Sequence, residues 1–247
     1  MRTQLENTRR TEALFQQDAY LRRATGTVLS HWANDGIILD QTIFYAEGGG
    51  QPGDQGHIEW DGLQVAVLNT TKGSEGTVAL RIAPGVERPP IGTAINQEIN
   101  WDRRYTHMRM HTALHLLTVV LPFPVTGGQV GSDKGRLDFS MPAPEESKPE
   151  MEMRLNELVE RDLKVHAEWI KAAELDANPS LVKTLSVRPP TDQGRVRLVR
   201  ISDGDATVDL QPCGGTHVSN TTEIGRITLG KIESKGRDNR RVTIRLF

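Results

Sequence analysis

The amino-acid sequence predicts an α+β fold in two parts. A small β-barrel or sandwich occupies residues 1–99, and a domain with helices packed on an antiparallel sheet occupies residues 100–247. Three observations predict this. From Ala24 to Ile99, short apolar runs alternate with turn-forming residues, the texture of a small all-β unit. Residues 103–121 read as one helix, apolar along much of its length from Met108 to Leu121 and stopped by Pro122 and Pro124. Beyond it, segments of helical and of alternating period follow one another in mixed order.

Residues 1–23, with Arg9, Arg10, Arg22 and Arg23, read as a solvated charged segment, a short surface helix being the alternative. The apolar runs 27–29, 37–39, 58–60, 65–68 and 78–82 are separated by Asn34-Asp35-Gly36, Gly48-Gly49-Gly50, Asp61-Gly62 and residues 72–76. Three consecutive glycines do not suit a strand interior. They form either an ordinary loop or a place where bare backbone approaches a ligand. Pro84, Pro89 and Pro90 close the region, a strand follows at 94–99, and the boundary falls near Asn100-Trp101.

Within the second part, residues 136–141 read as a strand. Ser147-Lys148-Pro149-Glu150 is a capping-box signature that opens a helix with Met151, Leu155, Leu158 and Val159 on one face. At Leu163 the period becomes alternating, with Val165, Ala167 and Trp169 inward and His166 exposed. A short helix from Ala172 ends before Pro179, and a further helical turn is expected over 181–185. A hairpin over 196–201 and 206–210 delivers the chain to Pro212-Cys213. Two last strands, 224–233 and 241–246, flank a loop rich in Lys and Arg.

Composition narrows the function. The net charge of −2 excludes a general polyanion binder, so any nucleic-acid contact needs a local basic patch. A single cysteine excludes an internal disulfide framework and fits a reducing cytoplasm. No apolar run reaches the ~18 residues of a membrane span, and the first thirty residues hold no signal-peptide core.

The chemistry concentrates in His111-Thr112-Ala113-Leu114-His115 and Cys213-Gly214-Gly215-Thr216-His217. Histidines four apart share one face of a helix. A cysteine and a histidine flanking a glycine pair suit a loop folded round one point. Three imidazoles and a thiolate form a ligand set that Zn²⁺ prefers, although each half alone also fits packed residues. Thr112 stands where a His-Glu-x-x-His protease would carry its glutamate. His107, one turn earlier, reads as a helix-surface residue or as one that supports a ligand. Asp138 reads either as a base or as a partner of Arg136.

His-x-x-x-His followed distantly by Cys-x-x-x-His resembles the editing domain of alanyl-tRNA synthetases and their free-standing AlaX-type relatives. Residues 44–54 (FYAEGGGQPGD) are similar to the glycine-rich motif of the family's preceding domain. Residues 127–132 and 136–139 resemble its segment after the histidine helix, and residues 231–236 and 239–242 its last hairpin. The similarity runs from about Tyr20 to the C-terminus. It implies a zinc ion on His111, His115, Cys213 and His217, and hydrolysis of tRNA(Ala) mischarged with Ser or Gly. It places Gln129 in the pocket, orienting water or substrate, and lets Gly48, Gly49 and Gly50 meet the substrate. Thr112 is the second expected catalytic residue. Lys231, Lys235, Arg237, Arg240 and Arg241 form the densest basic cluster and are expected to hold the acceptor stem. A chain of this length leaves no room for an aminoacylation domain, which points to a free-standing protein working without ATP. Two rivals are a non-catalytic, zinc-stabilised tRNA-binding module, which would bind without deacylating, and a zinc hydrolase of another ester, which would act without tRNA.

Overall fold

The computed structural model describes residues 10–185, 189 and 191–247. The start of the charged N-terminal segment, residues 1–9, lies outside the described residues. By backbone contacts the chain divides into two units. One comprises Met1–Gly48 and Pro52–Tyr105; the other comprises Gly49–Gln51 and Thr106–Phe247.

The strands of the first unit are Glu12–Ala13 (β1), Arg23–Trp32 (β2), Gly36–Leu39 (β3), Gln41–Thr42 (β4), Gly56–Trp60 (β5), Leu63–Lys72 (β6), Val78–Ile82 (β7) and Ala94–Ile99 (β8). Six of them close into an antiparallel barrel in the order β2-β3-β7-β6-β5-β8, so of barrel and sandwich the barrel is correct. Closure follows from period-two alternation. Gly56, Ile58 and Trp60 of β5, and Ile95, Gln97 and Ile99 of β8, point inward, while the residues between them face out. Asp61-Gly62, with both φ angles positive, makes the two-residue turn that joins Trp60 to Leu63. Val28, Ile37, Leu39, Phe44, Ile58, Leu80 and Ile82 fill the interior.

The described part of the N-terminal segment, from Arg10, is not an α-helix. It forms β1, paired with β4, and a 3-10 turn at Leu14–Gln16. Nor is it merely solvated. Thr11 donates to the Leu39 carbonyl at 2.8 Å, and the buried Phe15 ring meets Tyr45 edge-on at 5.3 Å.

Trp101–Val120 (α1) follows the barrel, and the division between units falls inside it. Asn100 caps it, its side chain accepting from the Arg103 N–H at 3.1 Å. Arg104, fully buried, donates through Nε to Asp54 Oδ2 at 2.9 Å, through Nη1 to the Ala19 carbonyl at 2.8 Å, and through Nη2 to Asp54 and to the Ile43 carbonyl.

The remaining elements are Val125–Gln129 (β9), Gly135–Ser140 (β10), Lys148–Glu160 (α2), Lys164–Lys171 (β11), Ala172–Ala177 (α3), Thr191–Asp192 (β12), Arg195–Asp203 (β13), Ala206–Pro212 (β14), Ile227–Gly236 (β15) and Asn239–Leu246 (β16). One antiparallel sheet runs β15-β16-β10-β9; in the other, β13 is paired with β11, β12 and β14. The α2 helix opens at the expected capping box, the Glu150 carboxylate accepting from the Ser147 N–H at 2.8 Å. It lies along β15. Asn156 accepts from the Ile227 N–H and donates to its carbonyl, both at 2.9 Å, and Glu152 accepts from the Leu229 N–H at 2.7 Å.

Three local expectations need correction. Ala167 is exposed, and Trp169 is half-buried beneath the Arg195 guanidinium, 5.2 Å from its ring centroid, so the alternation of β11 fails beyond Val165. The turn expected over 181–185 is a 3-10 turn at Pro179–Leu181. Lys183 and Leu185 then bond to the backbone of Val125 as extended chain. Ile224 ends a 3-10 turn, Thr221–Ile224, and does not begin a strand.

Removing one partner of a buried ion pair leaves the other charge unpaired. Arg104→Ala is therefore expected to lower the unfolding free energy by about 3–5 kcal/mol. Urea titration reads this directly, and a loss under about 1 kcal/mol would mean that the pair carries little of the fold.

Candidate functional site: a His-His-Cys-His cluster

Among the residues from His107 to Thr118, all but Arg109 are buried. A helix enclosed on nearly every side leaves its polar side chains no water, so each must find a partner within the protein. His111 and His115 lie one turn apart on α1. Cys213 follows β14, its N–H donating to the Arg197 carbonyl at 3.1 Å. Arg197 Nη1 in turn donates to the Cys213 and Gly215 carbonyls at 2.8 and 3.0 Å and shapes the loop that carries His217. Gly215 sits so close to His111 that a Cβ there would lie 2.2 Å from Cε1 of the ring, which no side chain allows.

The result is a cluster in which one ligating atom from each of His111, His115, Cys213 and His217 lies within 4.8 Å of the others. Cys213 Sγ is 3.5 Å from His111 Nε2 and 3.2 Å from His217 Nε2. Every histidine is engaged through the opposite nitrogen. His115 Nδ1 donates to Asp209 Oδ2 at 3.1 Å, and Lys183 donates to the other carboxylate oxygen at 2.5 Å. His111 Nδ1 is 2.8 Å from Gln51 Oε1. His217 Nδ1 is 3.1 Å from the Thr112 hydroxyl. That hydroxyl gives its one proton to the Met108 carbonyl at 2.9 Å, so His217 must be the donor to it. With Nδ1–H tautomers fixed in this way, the Nε2 lone pairs are left for a common centre, as metal-binding imidazoles require.

The electrostatics are coupled. Burial opposes the charge on Asp209, yet His115 and Lys183 overcome it and hold the carboxyl at about 2. Burial likewise opposes an imidazolium at His115, but Asp209 and Cys213 raise that ring to about 9. Burial and the neighbouring His111 and His115 lower His217 to about 3, despite the pull of Cys213. The Cys213 thiol resists ionisation through burial, but His111 and His217 bring it well below its ordinary value. A cation entering the cluster would displace the proton that Asp209 and Cys213 favour on His115, and a thiolate with three imidazoles is then the donor set that fits Zn²⁺.

The other predicted residues are distributed as follows. Gly49 and Gly50 form a turn grouped with the second unit, whereas Gly48 is grouped with the first. The Gly50 carbonyl accepts from the Val130 N–H at 2.8 Å, and a Cβ on Gly50 would come within 2.7 Å of the Gly128 carbonyl. Gln129 ends β9, exposed, its Oε1 accepting from Arg136 Nε at 3.2 Å. Thr112 is fully buried with its hydroxyl saturated, since it also accepts from the Val218 N–H at 3.3 Å. His107 is buried too, not on the helix surface; its Nε2 is 3.1 Å from the Ser132 hydroxyl.

On the last hairpin, Lys231, Lys235 and Arg237 are exposed, with Lys235 3.5 Å from Glu233. Arg240 folds back onto the turn, donating to the Gly236 carbonyl at 2.8 Å. Arg241 grips Asp138 with two bonds of 2.7 and 2.8 Å. Asp138 is thus a paired carboxylate, held below its ordinary value by Arg241 and then by Arg136, against the opposing effect of partial burial. Sequence reasoning missed Gln51, Asp209, Lys183 and Thr216. Their residue types are common, and only the fold brings them to the ligands.

Fold and cluster together define an α+β protein with a potential metal centre shared by a helix and a loop. Residues 4–103 match the family model described as class II (A) tRNA synthetases, and residues 196–243 match the threonyl and alanyl tRNA synthetase second additional domain. The sequence is 36% identical to the alanyl-tRNA editing protein AlaX-M of Methanosarcina mazei, over 96% of this chain and 97% of that one. It is 35% identical to the AlaX-M of Methanosarcina acetivorans, over 96% and 99%. It is also 34% identical to the alanine–tRNA ligase of Pyrobaculum aerophilum, over 91% of this chain but 25% of the ligase. The chain belongs to the alanyl-tRNA editing protein family. No helix among the described residues is long and apolar enough to cross a membrane.

The Asp138 pairing has a sign that can be measured. A carboxyl with a depressed folded pKa adds stability that is complete above its unfolded value, here 3.8, and is lost as pH falls through the lower folded value. The stability advantage of the wild type over Asp138→Asn should therefore be constant near neutrality and shrink on acidification below about pH 4. An advantage that does not change with pH would show that the ion pair contributes nothing.

Proposed function

We propose that this protein is a trans-editing hydrolase of the cytoplasm that deacylates Ser-tRNA(Ala), and also Gly-tRNA(Ala), without ATP. The observation that carries this reading is the convergence of His111, His115, Cys213 and His217 in a chain of the alanyl-tRNA editing family. These four residues would hold zinc; with all four bound the tetrahedron is closed and the metal structural, and with one ligand yielding its place the metal would supply positive charge for polarising an ester carbonyl or activating water. In the reaction, water adds to the aminoacyl carbonyl, the ester bond to the terminal ribose breaks, and free amino acid and tRNA leave.

The surrounding residues have separate tasks. Gln129, exposed at the end of β9, is given the orientation of water or substrate. Thr112 acts through His217, whose ring it holds. Gly48, Gly49 and Gly50 offer backbone without side chains to the substrate. Discrimination against alanine follows from rewarding the serine hydroxyl. Alanine would leave buried polar groups without a partner, and sites of that kind reject the lacking analogue by factors on the order of 10⁴. For the RNA, Lys231, Lys235 and Arg237 have exposed charges available for phosphates. Arg240 and Arg241 are already bonded within the hairpin and its neighbours, and they shape the surface that meets the acceptor stem.

Incubation with Ser-, Gly- and Ala-charged tRNA(Ala), with and without a chelator, tests the reading. Ser- and Gly-charged tRNA should be deacylated and Ala-charged tRNA spared, with activity lost on chelation. Zinc and tRNA binding without turnover would favour a binding module, and turnover of simple esters alone would favour another hydrolase. Gln129→Ala should slow single-turnover deacylation by about 100-fold, the cost of a misplaced reactant, while zinc content and tRNA affinity hold. A wild-type rate would remove Gln129 from the mechanism.

A salt titration isolates the RNA surface. Replacing Lys231, Lys235 and Arg237 together by Ala should weaken tRNA binding and flatten its salt dependence, by roughly 0.9 in log–log slope for each phosphate that the variant no longer neutralises. An unchanged slope would place the acceptor stem on another surface.

A further inference from the structure

We propose that Gln51 is a positioning residue for the metal cluster, a clasp that joins the helix-borne and loop-borne ligands; this rests on the zinc reading above. The Gln51 side chain is 1% exposed, so its amide has only protein partners. Oε1 accepts from the Thr216 backbone N–H at 3.1 Å, which fixes the orientation of the amide, because a backbone N–H can only donate. The same oxygen stands 2.8 Å from His111 Nδ1, so that nitrogen must carry the proton. Nε2 donates to the Thr216 hydroxyl at 2.8 Å. One amide thereby grips His111 on α1 and Thr216, the residue before His217, in the loop after β14. Both acceptor positions of its oxygen are filled.

Two consequences follow for the metal. A neutral imidazole exchanges its proton between nitrogens, and only the Nδ1–H form presents an Nε2 lone pair to the cluster. Gln51 selects that form at His111. It also holds the two ligand-bearing segments together before a cation arrives, so less ordering falls to the binding step. Gly215 packs against the same groups, since a Cβ there would lie 2.8 Å from Gln51 Oε1. Asp209 selects the corresponding tautomer at His115 from within the second half of the chain. Gln51 does so from 60 residues before its histidine.

The test compares zinc-loaded wild type with Gln51→Met, which keeps the volume but loses the acceptor, and Gln51→Glu, which keeps it. Zinc affinity is measured by competition with a chromophoric chelator. The His111 Nδ1–H is followed by nitrogen-15 NMR of the ring. Gln51→Met should weaken zinc binding by about 10–100-fold, the usual effect of losing such a support, and the slowly exchanging Nδ1–H signal of His111 should disappear. Gln51→Glu should restore both. Wild-type zinc affinity with an unchanged His111 signal in Gln51→Met would overturn the proposal while leaving the zinc reading intact. A wild-type protein that takes up no zinc would overturn both. Loss of zinc affinity in Gln51→Met with the His111 proton retained would assign Gln51 to packing and also overturn the proposal.

Discussion

Burial of three imidazoles beside a half-buried thiol is the constraint on which the candidate site depends. The α1 segment from His107 to Thr118 meets almost no water, and an unpartnered polar group there costs about 1–3 kcal/mol. Each ring therefore needs an acceptor at Nδ1, and each acceptor needs partners of its own. Asp209 is shared with Lys183 and Gln211, Gln51 with Thr216, and Thr112 with Met108 and Val218. Among the described residues these requirements lead out to backbone groups, to the Thr216 hydroxyl and to the half-buried ammonium of Lys183. Three different acceptors, a carboxylate, an amide and a hydroxyl, solve the same problem for three chemically identical rings.

The parts of the fold legible in the sequence were those set by local rules. The Ser147–Glu150 box, the Asp61-Gly62 turn, the Pro122 stop and the alternation of Ile95 and Ile99 each act within a few residues, and the structure has them where the pattern puts them. A small barrel was legible from its short strands and turns, but its pairing was not, because β2 meets β8 through residues about seventy apart. Failures of the pattern have the same origin. Trp169 reads as a core residue by alternation, but Arg195 on the neighbouring strand gives its ring a cationic partner at the surface. Phe15 reads as part of a charged tail, yet Tyr45 receives it.

The cluster shows the same division. Histidines four apart announce a shared helix face, and Cys-x-x-x-His announces a tight loop, so the four ligand types stand out from spacing alone. Their supports do not. Nothing in the spacing of Gln51, Asp209 or Lys183 links them to His111 or His115, and only the tertiary fold does so. Asp138 is the converse case. Its neighbour Arg136 is visible two residues away, but the stronger partner, Arg241, comes from the facing strand β16, where it is in register with Asp138.

The membership of Gly49–Gln51 in the second unit has a consequence for how this protein can be divided. The half that carries the cluster is not one continuous stretch of chain, because three of its residues are encoded within the barrel half. No single cut in the gene separates the two halves cleanly. A fragment beginning at Thr106 would keep all four candidate ligands and lose the amide that bonds to His111 and Thr216. Grafting of this unit onto another protein must carry that tripeptide with it to keep the Gln51 contacts.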